Sequence, residues 1–428
     1  MKGMRKLKQT LAVFRNRTYT KIFLAAVTSR IGSIVGITAF MFYLLDRFST
    51  QPVYATLTEM MYSAPTLLVF VFTGFAADRL DRQKVAYYAD LICGGLSIVL
   101  LLSIWTEWMP LIFATLFLRS SVSKFFAPAE MSIVQGVLTE EEYTAAAGLN
   151  QMIAGVFSLF ATGLGLGVYW LVGISGAIIM DGISFFLSAA LIASCAIPEH
   201  VRQPNGKFFM KDIHYRAIII DFSAGLRYIF NHSLLKALIG GFFIFGIVNG
   251  AFTVIPIYML KYNLAPETYE QWSVIVGIVF GSCMIVGSIL SPMIIHKIRI
   301  HISVSCGLII AGFIVIACGF SQHIAFYILM MALLGLSLPL TNIAIGGWLP
   351  AIVDKKMMGR VESWIIPISM LSQTATLGII SIGFPSFFSI SSLYFLCGVI
   401  LLIVGICYTI LLPKLSKKHT NSLHVQEA

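Results

Sequence analysis

Charged side chains inside long apolar stretches are the residues of this sequence best suited to chemistry. Arg30, Glu59, Arg119 and Asp181 each interrupt a segment that is otherwise largely apolar. A charge at the centre of a bilayer costs roughly 2.5–3.5 kcal/mol on insertion scales, so each group needs an ion-pair partner or a water-filled cavity. A carboxylate in such a place can load and unload protons, and a buried arginine can be its ion-pair partner, so these four residues are candidates for proton coupling.

Each candidate also has an interpretation that does not involve protons. Asp181 could carry protons, or it could hold helices together by hydrogen bonding. Glu59 lies near the start of its apolar stretch, where interfacial water could solvate it. Arg119 lies near the middle of its stretch, where a functional role and a structural ion pair are both open. Arg30 lies about as deep and stays a coupling candidate.

The apolar stretches are long enough to cross a membrane as helices. The chain of 428 residues is 58% hydrophobic and 11% charged, whereas soluble domains contain about 25% charged residues. A helix needs about 20 apolar residues to cross the hydrocarbon layer, and helices satisfy their own backbone hydrogen bonds there. The sequence therefore predicts an all-α integral membrane protein with twelve transmembrane helices in two six-helix halves. The predicted spans are Ile22–Leu45, Leu57–Ala77, Val85–Trp105, Leu111–Ala127, Gly148–Val172, Ile174–Ile197, Leu234–Leu260, Trp272–Ile295, Ile302–Phe320, Ile324–Leu340, Trp364–Phe384 and Ser391–Leu412.

Basic residues are concentrated in the N-terminal tail, in every second loop and in the C-terminal tail. The opposite loops hold Arg47 and Lys261, although the net charge is +10. Cytoplasmic loops have such an excess of Lys and Arg. We therefore expect a multi-pass protein of the cell membrane with both termini in the cytoplasm, and no nucleic-acid partner.

A long polar segment, residues 198–232, separates the first six predicted spans from the last six. The predicted domains are therefore an N-terminal half, 1–197, this central loop, a C-terminal half, 233–412, and a tail, 413–428. Val137–Glu142 and Ile352–Met357 share an apolar pair, a helix-capping residue and a charged first turn, and they lie 215 residues apart. This spacing suggests an internal repeat, and secondary transporters are often built from two such halves.

The most specific pattern lies between predicted spans 2 and 3. It reads Gly74-Phe-Ala-Ala-Asp78-Arg79-Leu-Asp81-Arg82-Gln-Lys84. A loop this short cannot reposition easily, and its Asp-Arg cluster could lock one face of a two-state protein and release it. We expect Asp90, early in the next span, to pair with this cluster. The predicted gating loop therefore consists of Gly74, Asp78, Arg79, Arg82, Lys84 and Asp90.

This loop resembles the signature of the major facilitator superfamily, in which a glycine stands where this chain has Asp81. Further stretches resemble the macrolide-efflux branch of that superfamily, namely Asp90-Leu-Ile, Leu118-Arg119-Ser-Ser, Asp181-Gly-Ile-Ser184-Phe185 and Met358-Gly359-Arg360-Val361. The resemblance implies the major facilitator fold and proton-driven export of amphipathic molecules by rocker-switch alternating access. It also puts Arg119 at the position of the span-4 arginine that antiporters use in proton coupling. Span 5 has Gly163-Leu-Gly165-Leu-Gly167 instead of the Gly-Pro pair of the antiporter motif.

Aromatic and amide side chains in the spans are candidates for a substrate cavity. Such a wall with few charges would suit bulky apolar or weakly cationic compounds. The candidates are Phe40, Tyr43, Phe117, Phe126, Phe157, Phe245, Asn249, Trp348 and Gln373. A nutrient importer is the alternative, and a polytopic protein without transport activity is a remote one.

No nucleotide-binding, zinc-protease or nucleophile-elbow motif occurs in the sequence. We therefore expect no enzymatic activity, no cofactor and no metal. The expected partners are the lipid bilayer, a small-molecule substrate and protons, and we expect the protein to be a monomer.

Overall fold

The computed structural model describes residues 13–49, 51–203, 226–353 and 358–426. In these ranges the chain forms helices and no β-strand. The chain divides into two compact units, Met1–Ile213 and His214–Ala428.

The first unit consists of six long helices. They are α1 (Arg17–Arg47), α2 (Val53–Arg79), α3 (Arg82–Thr106), α4 in two segments (Met109–Ser123 and Phe126–Val137), and a continuous stretch, Glu140–Ala193. Gly173 breaks this stretch with φ 68°, a backbone conformation that suits glycine because it has no Cβ. We label the part before Gly173 α5 and the part after it α6. A single helical turn, Glu199–Arg202, follows α6.

Three of these helices begin at side-chain caps. The Asn16 carboxamide oxygen accepts hydrogen bonds from the first amides of α1, and the Asp81 carboxylate accepts one from the Lys84 amide of α3. At the start of α5, Thr139 and Glu142 exchange hydrogen bonds in a capping box. The capping pattern that the sequence predicts at 352–357 falls mostly on residues outside the described ranges.

The second unit also consists of six long helices. They are α7 (Ser233–Phe252, continued by the turns Ile255–Tyr258 and Met259–Leu264), α8 (Tyr269–Lys297), α9 (Ile300–Gly319), α10 (Ile324–Ile352), α11 (Met358–Gly383) and α12 (Ile390–Gln426). Pro256 stands in the first turn of its segment. Proline is tolerated there because a first-turn amide has no intrahelical partner.

The two units use the same packing scheme. In the first, α1 packs on the α5–α6 stretch, α3 on α6 and α2 on α4. In the second, α7 packs on α11 and α12, α9 on α12 and α8 on α10. The order of partners along each half is the same, as expected if the halves are repeats of one design.

Glycines at matching positions make close helix contacts in both units. Gly32 and Gly36 of α1 pack on Ser184 and Asp181 of α6. In α7, Gly246 and Gly250 pack on α11 at Ser372 and Gln373. Each pair is a Gly-x-x-x-Gly motif, and the motifs lie 214 residues apart. Small residues at this spacing allow membrane helices to approach closely.

Ten helices among the described residues are long and apolar enough to cross a membrane. The other two predicted spans correspond to α2 and α5, which are helical but are not among those ten. The helix bounds are therefore consistent with twelve spans, and the predicted all-α membrane fold is confirmed.

Candidate functional site

A buried ion pair joins Arg119 and Asp181 in the middle of the first unit. Arg119 lies on the first segment of α4, and Asp181 lies on α6 two turns after the break at Gly173. The exposed fractions of the two side chains are 7% and 0%. The Ser97 hydroxyl of α3 lies 3.4 Å from Arg119 Nη1 and 3.3 Å from Asp181 Oδ2. Two of the predicted coupling residues, Arg119 and Asp181, therefore form one polar cluster with Ser97.

The same guanidinium borders a cavity inside the first unit. Its polar lining includes Ser33 of α1, Thr58 and Tyr62 of α2, and Ser120 of α4, and Phe185 of α6 supplies an aromatic wall. The Phe185 ring centroid lies 5.8 Å from the Arg119 guanidinium carbon, close enough for a cation–π contact. A water molecule or a polar substrate group that enters this cavity would meet the buried pair from the Arg119 side.

Arg30 forms a second ion pair, with Glu130 on the second segment of α4. The two side chains are 3.2 Å apart, and the Glu130 carboxylate is almost fully buried. Glu130 is a residue that the sequence analysis missed, because the predicted span ended at Ala127. Helical periodicity could have found it, since Phe126, Ala129, Ile133 and Val134 line the same buried face.

Asp90 contacts α1 in the described structure, away from Arg82 of the loop with which it was predicted to pair. Its carboxyl group is 1% exposed and accepts a hydrogen bond of 3.5 Å from Ser29 of α1. Arg82, roughly 12 Å nearer the start of α3, instead donates to the carbonyl oxygens of Ser132 and Val201. Two helical turns separate the side chains of Asp90 and Arg82 on α3, whereas Asp78 and Arg79 lie outside the described side chains, so the pairing of Asp90 with the Asp78–Arg82 cluster stays a prediction.

Asp81, where the family signature has glycine, pairs with Arg202 in the turn that follows α6. The Arg202 Nε atom lies 3.2 Å from Asp81 Oδ1, and the Nη2 atom bonds the second carboxylate oxygen. This hydrogen bonding raises the pKa of the Arg202 guanidinium above its ordinary value. Gln83 adds hydrogen bonds of 2.9 Å to the carbonyl oxygens of Ile192 and Cys195. These bonds fasten residues 192–202 to the start of α3.

The rest of the predicted gating loop is only partly described. The surroundings of Gly74 and the side chains of Asp78 and Arg79 lie outside what the structure describes, and Lys84 is exposed at the first turn of α3. Glu59 of α2 is half-buried, and within the described part of the chain it forms no ion pair.

The predicted cavity residues have different environments. Phe40 packs in a closed core with Leu100 and Ile112, and Phe126 packs in another with Tyr19 and Ile133, so these two rings stabilise the helix bundle. Asn249 is exposed, whereas Gln373 is buried and its Oε1 atom has no hydrogen-bond partner among the described residues. The other candidates are half-buried or buried, namely Tyr43, Phe117, Phe157, Phe245 and Trp348.

The fully buried charges that the structure describes all belong to the first unit. They are Asp81, Asp90, Arg119, Glu130 and Asp181. In the second unit, the buried hydroxyls of Tyr327 and Tyr394 form a hydrogen bond of 2.8 Å. No group of three potential metal ligands occurs among the described residues. The chemistry that needs buried charge is therefore concentrated in one half.

Comparison with known proteins gives consistent results. The family model of the Major Facilitator Superfamily matches residues 22–375. The "Uncharacterized MFS-type transporter YkuC" of Bacillus subtilis (strain 168) is 46% identical over 417 residues, which cover 97% of each chain. "Macrolide efflux protein A" of Streptococcus pyogenes is 22% identical and covers 92% of this chain and 95% of its own. A crystal structure of a POT family transporter in complex with a thioalcohol conjugated peptide superposes with a TM-score of 0.73 at 13% identity, over 93% of this chain and 96% of the other.

Proposed function

Because this chain belongs to the Major Facilitator Superfamily and is a multi-pass membrane transporter rather than an enzyme, we propose that it exports amphipathic small molecules in exchange for protons. The observation that carries this proposal is the buried Arg119–Asp181 pair beside a cavity. The match to the Major Facilitator Superfamily over residues 22–375 confirms the resemblance drawn from the Gly74–Lys84 loop and the other matching stretches.

The pair can act as a coupling device because its two members depend on each other. A buried ion pair is tolerated when both charges are present, and removal of one leaves the other uncompensated. Protonation of Asp181 therefore releases Arg119, which must then find another acceptor or water in the adjoining cavity. A ligand or a proton that binds one conformation better than the other shifts the equilibrium between them.

The proposed substrate class follows from the sparse charge in the membrane spans and from one relative. Phe185 and Tyr62 give the cavity of the first unit aromatic surface, and its polar groups are mostly hydroxyls. Its volume of about 40 Å³ admits a water molecule or one small substituent of a substrate, whereas membrane spans with few charges suit a molecule with apolar bulk. "Macrolide efflux protein A" is similar to this chain over most of its length, and macrolides are bulky, largely apolar molecules.

We also propose the arrangement in the membrane. The basic loops put both termini in the cytoplasm of a cell-membrane protein. The halves are 1–197 and 233–412, they are joined by 198–232 and followed by the tail 413–428, and the functional protein is a monomer. The loop Gly74–Lys84 acts as the gate of the rocker switch, and Arg30 and Glu59 remain further coupling candidates.

The test is transport in proteoliposomes with an imposed pH gradient. A macrolide and ethidium serve as substrates, and a pH-sensitive dye reports the accompanying proton flux. We expect substrate uptake into acidic vesicles to release protons from them, and Asp181→Asn to abolish both signals. Asp46→Asn is the matched control, since Asp46 is an exposed carboxylate near the C-terminal end of α1.

Two results would contradict the proposal. Proton-independent movement of both compounds would remove the coupling. Accumulation of a nutrient together with protons, in the direction opposite to that of ethidium, would establish the importer instead.

A further inference from the structure

Among the described residues, the buried carboxyl group of Asp90 belongs to no ion pair. Asp90 Oδ1 accepts from Ser29, but Asp90 Oδ2 is buried without a hydrogen-bond partner among the described residues. Ser188 of α6 lies within reach of this carboxyl group, and its own buried hydroxyl also lacks a partner there. A buried polar atom without a hydrogen bond costs about 1–3 kcal/mol, so each of these two atoms needs an explanation.

The cations on the neighbouring helices are already committed. Arg30 of α1 pairs with Glu130 of α4, and Arg119 of α4 pairs with Asp181 of α6. On α3 itself, the Cys93 thiol donates to the carbonyl oxygen of Arg119. In the described structure, Asp90 interacts with the Glu130 charge and with the Cys93 thiol.

An ionised Asp90 would thus be a buried anion with no cation of its own. The penalty for burying an unpaired ion is several kcal/mol even after relaxation. A neutral carboxylic acid avoids that penalty and gains one O–H donor. The Ser188 hydroxyl oxygen can accept a hydrogen bond from that donor.

We propose that Asp90 is a second proton-binding site of the first unit, and that it holds its proton while Asp181 is ionised against Arg119. The proton resides on Oδ2 and is donated to the Ser188 hydroxyl oxygen, while Ser29 donates to Oδ1. One bound proton therefore satisfies both atoms that the structure leaves unpartnered. Asp90 and Ser97 lie on the same face of α3, seven residues or roughly 10 Å apart, so the two carboxyl groups are separate sites.

The use of this proton in transport rests on the proposed function above. Two carboxyl groups in one helix interface, one ionised and one neutral, allow two protons to be exchanged per transport cycle. Removal of the Asp90 site should then lower the number of protons exchanged per substrate by one and leave the Asp181 proton in place.

Infrared difference spectroscopy of the purified full chain tests the bound proton without any transport. The wild-type protein at neutral pH should show the C=O stretching band of a buried carboxylic acid. Asp90→Asn should remove that band, whereas Asp181→Asn and the exposed control Asp46→Asn should keep it. Ser188→Ala should keep the band and shift it to higher frequency, because the acid loses its hydrogen-bond acceptor.

An Asp90→Asn spectrum with the full band would overturn the assignment. If Asp90→Asn does not fold, Ser188→Ala decides the question, and an unshifted band there has the same meaning. Proton-to-substrate ratios in proteoliposomes then test the use of the proton, and an unchanged ratio in Asp90→Asn would exclude Asp90 from coupling. Absence of all transport would instead count against the proposed function and leave the infrared result standing.

Discussion

Ser97 places one hydroxyl against both charges of the buried pair. Its oxygen accepts from Arg119, and its hydrogen is donated to Asp181. A hydroxyl can do both at once because it has one proton and two lone pairs. Ser97 therefore favours the ionised form of the pair, and it keeps the guanidinium oriented when the carboxylate is neutralised.

Removal of one charge of the buried pair should be more damaging than removal of both. Asp181→Leu leaves Arg119 buried and unpaired, and we expect it to lower the free energy of unfolding by about 3–5 kcal/mol. The double variant Arg119→Met with Asp181→Leu should recover most of that loss, because no uncompensated charge remains. Thermal unfolding of the detergent-solubilised variants measures both effects, and transport should be absent in both if the pair couples protons.

The exposed pair Arg47–Glu107 is the matched control. Its side chains are 2.9 Å apart and more than half exposed. Truncation of either partner should cost about 0–1 kcal/mol, because water solvates the remaining charge. A single Asp181 variant as stable as these controls would show that water, and not Arg119, solvates the carboxylate.

The individual charges could be predicted from the sequence, but their pairing could not. Arg119 and Asp181 both stand out as charges in apolar spans, and yet nothing in one sequence indicates that helices 62 residues apart bring them together. Glu130 escaped because the span was ended at the lysine and proline around it. For Asp90, nothing in the sequence indicated the contact with Ser29 of α1.

At the scale of the helix, glycines set how closely α1 approaches α6. A Cβ atom at Gly36 would lie 3.1 Å from the Asp181 carboxyl group. That is tighter than ordinary van der Waals contact, so either the helices or the carboxylate must move. The position of Asp181 relative to Arg119 therefore depends on a residue that has no side chain.

Gly36→Ala should impair transport without unfolding the protein. We expect the added methyl group to displace the Asp181 carboxylate by a few tenths of an ångström and to lower the transport rate several-fold. The control is Gly95→Ala on α3, where a Cβ atom would meet nothing within 4 Å. Initial rates in proteoliposomes, with unfolding temperature measured alongside, check the prediction. Equal rates in both variants would show that the approach of α1 to α6 does not position the carboxylate.

The lengths of the apolar stretches were sufficient to predict most helices. They did not predict the points at which a helix breaks. The predicted span from 111 to 127 is two helical segments separated at Lys124 and Phe125. The span from 234 to 260 likewise breaks at Thr253 and Val254. The first break ends the largely polar run Arg119–Lys124 and precedes Pro128, and the second precedes Pro256. Hydropathy averaged over a whole span misses these local signals.

At the scale of the whole molecule, the two units repeat one packing scheme but differ in charge. Gly-x-x-x-Gly motifs make equivalent close contacts, of α1 with α6 and of α7 with α11. The fully buried acids and bases that the structure describes occur only in the first unit. The repeat therefore preserves how helices meet, while the residues suited to proton chemistry are confined to one copy.

The bonds that hold residues 192–202 to the start of α3 also determine where the polypeptide can be divided. Val201 is buried against Gly136, and Arg202 is bound by Asp81, so these residues belong physically to the first half. Two co-expressed fragments, 1–203 and 204–428, should reassemble into an active protein. A cut after residue 197 should yield less assembled protein, because it removes both anchors from the first fragment. Co-purification through a tag on one fragment, followed by transport, measures the difference, and equal recovery from both cuts would mean that the anchors are dispensable.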